Sequence, residues 1–165
     1  RCLLSFGSSS GPPMLPILYN NHYQIVQSPG YVMILVEMVH DARIIRIDSE
    51  PLPAVMSPWM GDSIGRWEGE TLVVETRNIH PLQTYRGSGD QFHTVERFTR
   101  VGPDTMNYSV TVTDPDTFSR PWTAEIPMLR TQDKLYEYAC HEGNYALQGI
   151  LAGARVQERD AGAAQ

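Results

Sequence analysis

Cysteine is scarce in this chain of 165 residues: Cys2 and Cys140 are its two thiols, far apart and in no CxxC pair. That argues against a thiolate metal site. Positive charge is thin as well, since 13 Lys and Arg against 19 Asp and Glu leave a formal charge of −6 with no basic cluster. Phosphate binding needs a concentrated positive footprint, so nucleic acid is not an expected partner. Long apolar runs are missing too. The longest, "YVMILVEMV", is interrupted by Glu37 and is too short to cross a bilayer. The five histidines make no HxH, HxxxH or HExxH spacing, and no GxSxG elbow is present. "GSSSG" follows no strand and lacks the lysine of a phosphate loop. The chain opens at Arg1 without an initiator Met or a charged-then-apolar leader, the form of a mature or truncated product.

What is there is an ordinary globular composition, 41% apolar and 19% charged, at a length that makes one domain with a real core. Residues 1–22 hold Gly, Ser and Pro clusters without a period. They read as an extended arm pinned by Leu15, Ile17 and Leu18. Residues 23–154 read as strands. "YQIVQ" and "YVMILVEM" flank a turn at Ser28-Pro29-Gly30, and "ARIIRID" follows after His40-Asp41, the length of a two-residue hairpin loop. Residues 49–61 carry Pro51, Pro53 and Pro58 and read as a loop. "RWEGETLVVETRNI" is a strand pair or one long strand bent at Gly69. "FHTVERFTRV" and "TMNYSVTVTD" flank Gly102-Pro103-Asp104; "WTAEIPMLRT" and "LYEYACHE" flank Gln132-Asp133-Lys134. A short C-terminal helix or tail ends the chain, with residues 155–165 flexible. About eight strands joined by short turns predict an all-β, antiparallel up-and-down barrel of lipocalin-like form, with a two-sheet sandwich as the alternative.

Side-chain parity sorts the faces. Met106, Tyr108, Val110 and Val112 share one face, as do Trp122, Ala124, Ile126 and Met128 on the next strand. Tyr136, Tyr138 and Cys140 share another. "FHTVERFTRV" has charge on both faces, Glu96 and Arg100 on one and Arg97 on the other. A half-buried strand of this kind implies either a polar cavity or a structural ion pair involving Glu96 or Arg97. "HDAR" places His40, Asp41 and Arg43 within four residues, a set suited to proton transfer and oxyanion binding or simply to a polar turn. Cys140 beside His141 is either a nucleophile or, preferably, the partner of Cys2. A disulfide closing so long a loop would stabilise the fold by about 4–5 kcal/mol on the chain-entropy argument.

The motifs "YNNHYQIVQSPGYVMILVEMVHDARII", "WMGDSIGRWEGETLVVET", "HTVERFTRV", "FSRPWTAEIPM" and "YEYACHEGNY" resemble those of a large family of mostly exported bacterial proteins. The likeness runs from about Cys2 to about Ala154. It implies a periplasmic or extracellular protein with the paired cysteines retained, and it carries no activity with it. Family members usually have Asn at the position of His22 and no histidine at that of His80, which leaves His40, His93 and His141 as the matching imidazoles.

The resulting expectation is an exported barrel with a cavity for a small polar metabolite. His40, His93, Arg43, Glu142 and His141 would supply cofactor-free acid-base chemistry of lyase, isomerase or hydratase type. Arg97, Trp67, Tyr108, Trp122 and Tyr138 would contact the ligand. A non-catalytic lipocalin-like binding protein, an assembly domain using its arm and strand edges (with self-association), and a metal-dependent enzyme using His40, His93 and His141 are the alternatives.

Overall fold

The computed structural model describes residues 11–83, 85–139, 143 and 145–163. Its centre is one eight-stranded sheet: β1 (Tyr23–Ser28), β2 (Tyr31–Val36), β3 (Ala42–Ile47), β4 (Asp62–Glu68), β5 (Thr71–Arg77), β6 (His93–Arg100), β7 (Thr105–Thr113) and β8 (Trp122–Leu129). The strands lie in sequence order, and the sheet curls into a half-barrel. Among the described residues β8 does not pair with β1, so the expected closed barrel is replaced by an open trough with two free edges.

Every neighbouring pair is antiparallel except β3 and β4, which run parallel. This departs from an up-and-down order and has a local cause. A parallel pair needs a crossover that returns the chain to the starting end. The proline-bearing segment after Ile47 does this without a helix. The Asp62 carboxylate clamps it, accepting from Leu52 N (2.7 Å) and from Arg46 (2.7 Å). At the bend into β4, Gly61 has φ 76°, and a Cβ there would sit 2.7 Å from Thr76 Cγ2. Only glycine fits that turn.

Of the two readings around Gly69, the strand pair and not the single bent strand is present, as the β4–β5 hairpin, and Gly102-Pro103-Asp104 does connect β6 to β7. Two other connections differ from expectation. The link between β2 and β3 spans Glu37 to Asp41, not His40-Asp41 alone, because Met38 and Val39 leave the sheet to bury themselves in a 3-10 turn. The expected strand "LYEYACHE" is not formed over its described part, residues 135–139. There Tyr136 N donates to the buried Glu37 carboxylate at 3.0 Å, so its hydrogen bond goes to a side chain and not to a ladder with β8.

The inner face of the trough holds the core. Val32 and Ile34 of β2, Ile45 of β3, Leu72 and Val74 of β5, Phe98 of β6, and Tyr108, Val110 and Val112 of β7 are all buried. The parity predicted for β7 and β8 is the one observed: Trp122, Ala124, Ile126 and Met128 pack against this cluster from the last strand. Met14 seals it from the N-terminal arm at 1% exposure, its N donating to the Tyr108 hydroxyl at 2.9 Å. Leu15 and Ile17 pack partly against the core, but Leu18 is 97% exposed and pins nothing. After residue 145 the chain forms α1 (Ala146–Ala163), which runs past the boundary expected at residue 154. No helix among the described residues is long and apolar enough to cross a membrane.

Candidate functional site

Five adjacent strands each contribute a polar side chain to one network in the trough. β3 contributes Arg43, β4 Ser63, β5 Thr76, β6 Glu96 and β7 Tyr108, all buried. The Arg43 guanidinium donates to Ser63 Oγ (3.0 Å), Thr76 Oγ1 (2.9 Å) and both oxygens of Glu96, Oε1 at 2.9 Å and Oε2 by a shorter contact. Ser63 and Thr76 also bond each other at 2.9 Å, and Tyr108 donates to Glu96 Oε1 at 2.9 Å. Burial alone would lower the Arg43 pKa, but the adjoining Glu96 carboxylate outweighs it and holds the pKa above the usual arginine value. Burial first, and Glu96 second, push the Tyr108 phenol well up.

Four of the five guanidinium N–H groups are thus engaged on protein oxygens. This is the structural ion pair that the charge on both faces of β6 left open, with Arg43 as the partner of Glu96. Arg97 points to the outer face, where it donates to Glu68 at 2.8 Å.

Beside this closed network the trough stays open. A cleft of about 510 Å³ lies between its two ends, walled by Tyr23 and Ile25 of β1, Met106 of β7, and Ile126 and Met128 of β8. A second hollow of about 390 Å³ shares Ile25, Arg100 and Met106 with it and continues along the inner face to Trp67, Leu72 and Phe98. The charged groups at the cleft are engaged: Arg100 donates to Gly102 O (3.1 Å) and Pro103 O (2.9 Å), and Arg130 lies 3.7 Å from Asp104. His22 sits 3.3 Å from the Glu37 carboxylate. Tyr23 joins the two regions. It lines the cleft, yet its hydroxyl is enclosed and has no hydrogen-bond partner. Burial, with Glu96 as the second cause, pushes its phenol pKa far up, so it stays protonated.

The expected catalytic residues are not brought together. Arg43 is in the interior. His40 is exposed in the β2–β3 turn at φ 49°, where burial raises the neighbouring Asp41 carboxyl and the imidazole partly offsets this. His93 is on the same face of β6 as Arg97, 3.8 Å from Glu75; burial, then Arg77, lower its pKa against the opposing pull of Glu75. His141 and Glu142 lie outside the described residues, as do Cys2 and Cys140 with their expected disulfide. Among the described residues no group of three or more His, Cys, Asp or Glu is placed to share a metal ion.

Of the expected ligand contacts, Trp67 borders the second hollow. Tyr108 has no exposed surface to offer. Trp122 meets Phe118 edge-on at 5.9 Å, and Tyr138 stacks on Tyr19 at 6.4 Å. Sequence reasoning missed Tyr23 and Met106 as cleft residues. The alternation that put Ile126 and Met128 on one face of β8 was the available signal; what stands opposite them depends on how far the sheet curls.

Set against protein-family models, curated proteins and solved structures, the chain matches none.

Proposed function

We propose that this protein binds a small molecule, without turnover, in the cleft between the two ends of its curled sheet. The observation that carries the reading is a mostly apolar space of about 510 Å³, rimmed by Arg100, Asp104 and Arg130 and bounded by both β1 and β8, within the size range of small-molecule sites. A filled interior would have left no such space. The acid-base reading draws no comparable support, because the Arg43 guanidinium is committed to Glu96, Ser63 and Thr76 while His40 and His93 stand away from it. The family resemblance adds an exported setting. Nile red, a neutral dye that fluoresces in apolar surroundings, tests the reading. Saturable binding to the wild type, lost in Ile126→Trp with an unchanged circular dichroism spectrum, is the expected result. Absence of saturable binding to the wild type rejects it.

A second reading is assembly through strand edges, favoured by the free edges of β1 and β8 and by Ile25 and Val26, each 41% exposed on β1. Unpaired edges are templates for another chain. It requires a concentration-dependent increase in mass by light scattering, abolished by Val26→Lys; a monomer at all concentrations rejects it.

A further inference from the structure

We infer that the ligand of this cleft is a long-chain carboxylate, its head paired with the Arg100 guanidinium and its chain laid on the apolar walls. The inference rests on the binding function proposed above and names the ligand class of that site.

By alternation β6 carries two charges on its inner face, Glu96 and Arg100, with Phe98 between them. Glu96 is answered inside the protein by Arg43. Arg100 meets no carboxylate among the described residues: its Nε donates to Gly102 O at 3.1 Å and its Nη2 to Pro103 O at 2.9 Å. Those carbonyls are neutral, so they orient the guanidinium and leave its charge unanswered. They also take only the Nε–Nη2 edge of the fork. The Nη1–Nη2 edge remains, and its two parallel N–H groups match the two oxygens of a carboxylate.

Position and charge balance agree with this. Arg100 stands where the two spaces meet, lining both the cleft of about 510 Å³ and the hollow of about 390 Å³. A head group there has apolar wall for its chain on either side, Ile126 and Met128 in the cleft and Leu72 and Phe98 in the hollow. The other charges at the cleft face opposite partners: Arg130 lies 3.7 Å from Asp104, and His22 lies 3.3 Å from Glu37. Arg100 is the cation left over. Glu70 lines the hollow and not the cleft, so the cleft side of Arg100 is the side open to an anion. Because Arg100 is exposed to solvent, the pair is a modest one. The chain supplies the affinity, and the guanidinium selects the head.

The test is displacement of Nile red by dodecanoate and by dodecylammonium, chains of equal length and opposite charge. Both are used below their micellar thresholds at about pH 8, where both heads are charged. In dilute buffer dodecanoate is expected to displace the dye from the wild type at about five-fold lower concentration than dodecylammonium. That ratio is expected to fall toward one in high salt. Arg100→Gln is expected to remove the preference and Arg100→Lys to keep part of it, each with a wild-type circular dichroism spectrum. The ratio within one variant does not depend on how tightly that variant holds the dye. Equal displacement by the two chains on a wild type that binds the dye overturns the anionic head. A preference that survives Arg100→Gln overturns the role of Arg100, and a wild-type preference untouched by salt overturns the ion pair even if that variant fails to fold. Each of these results leaves the binding function standing, whereas failure of the wild type to bind the dye removes both.

Discussion

Glu96 and Arg97 are neighbours in sequence, and they teach opposite lessons about charge. Glu96 points into the trough and meets Arg43, both at about 1% side-chain exposure or less. Arg97 points outward and meets Glu68, at 45% and 42%. The pairs are chemically alike, yet the inner one has been taken out of water and its worth depends on completeness. Each polar atom there needs a protein partner, because no solvent can replace one that is removed. The outer pair can exchange its partner for water at little cost.

The sharpest way to break this contrast is Glu96→Ala. It leaves Arg43 charged and unpaired inside the trough, with an expected loss of about 3–5 kcal/mol in urea unfolding. The double variant Arg43→Met with Glu96→Leu removes both charges and is expected to recover most of that loss. If the single variant matched the exterior substitution below, the distinction between the two pairs would collapse. Next in size is Tyr108→Phe. It strips one hydrogen bond from Glu96 and the acceptor for Met14 N, with an expected cost of about 1–3 kcal/mol.

His93 tests the outer face by pH. Its folded pKa lies below the ordinary histidine value of 6.5 because burial and Arg77 disfavour the imidazolium. The unfolded chain therefore binds the proton more readily. The stability contribution is present above the unfolded value and is lost as pH falls through the folded one. Melting temperatures of the wild type and His93→Gln are expected to draw together as the pH is lowered from 7.5 to 5.5. A constant gap would show that His93 does not titrate in this way. The smallest effect belongs to Arg97→Ala, at about 0–1 kcal/mol and shrinking further in high salt.

The legible part of the molecule was the part governed by local period. Alternation along "TMNYSVTVT" and "WTAEIPML" announced which side chains of β7 and β8 face the core, and Gly102-Pro103 announced their connection to what precedes. A break at Gly69 was legible too, though only the structure, with φ 62° there, decides for a hairpin over one bent strand. The "LYEYACHE" segment misled because its apolar alternation suits a strand, but Glu37, 99 residues before Tyr136, takes the backbone donor that a strand would have used. His93 and Arg97 were assigned to a cavity because β6 carries charge on both faces, and the alternation itself could not say which face was the inner one.

By itself the chain's order of apolar and polar residues determined an all-β domain, the pairing partners of most strands, and the fact that some charge had to go inside. Alternation and turn chemistry are properties of a few consecutive residues, so they can be read directly. Tertiary structure alone decided that β3 and β4 run parallel, that the sheet stops short of closure among the described residues, and that Arg43 neutralises Glu96 across 53 residues of chain. Those outcomes depend on the summed twist of eight strands and on which distant groups that curvature brings within hydrogen-bonding reach. The cleft beside Tyr23 is the space left where the curl ends.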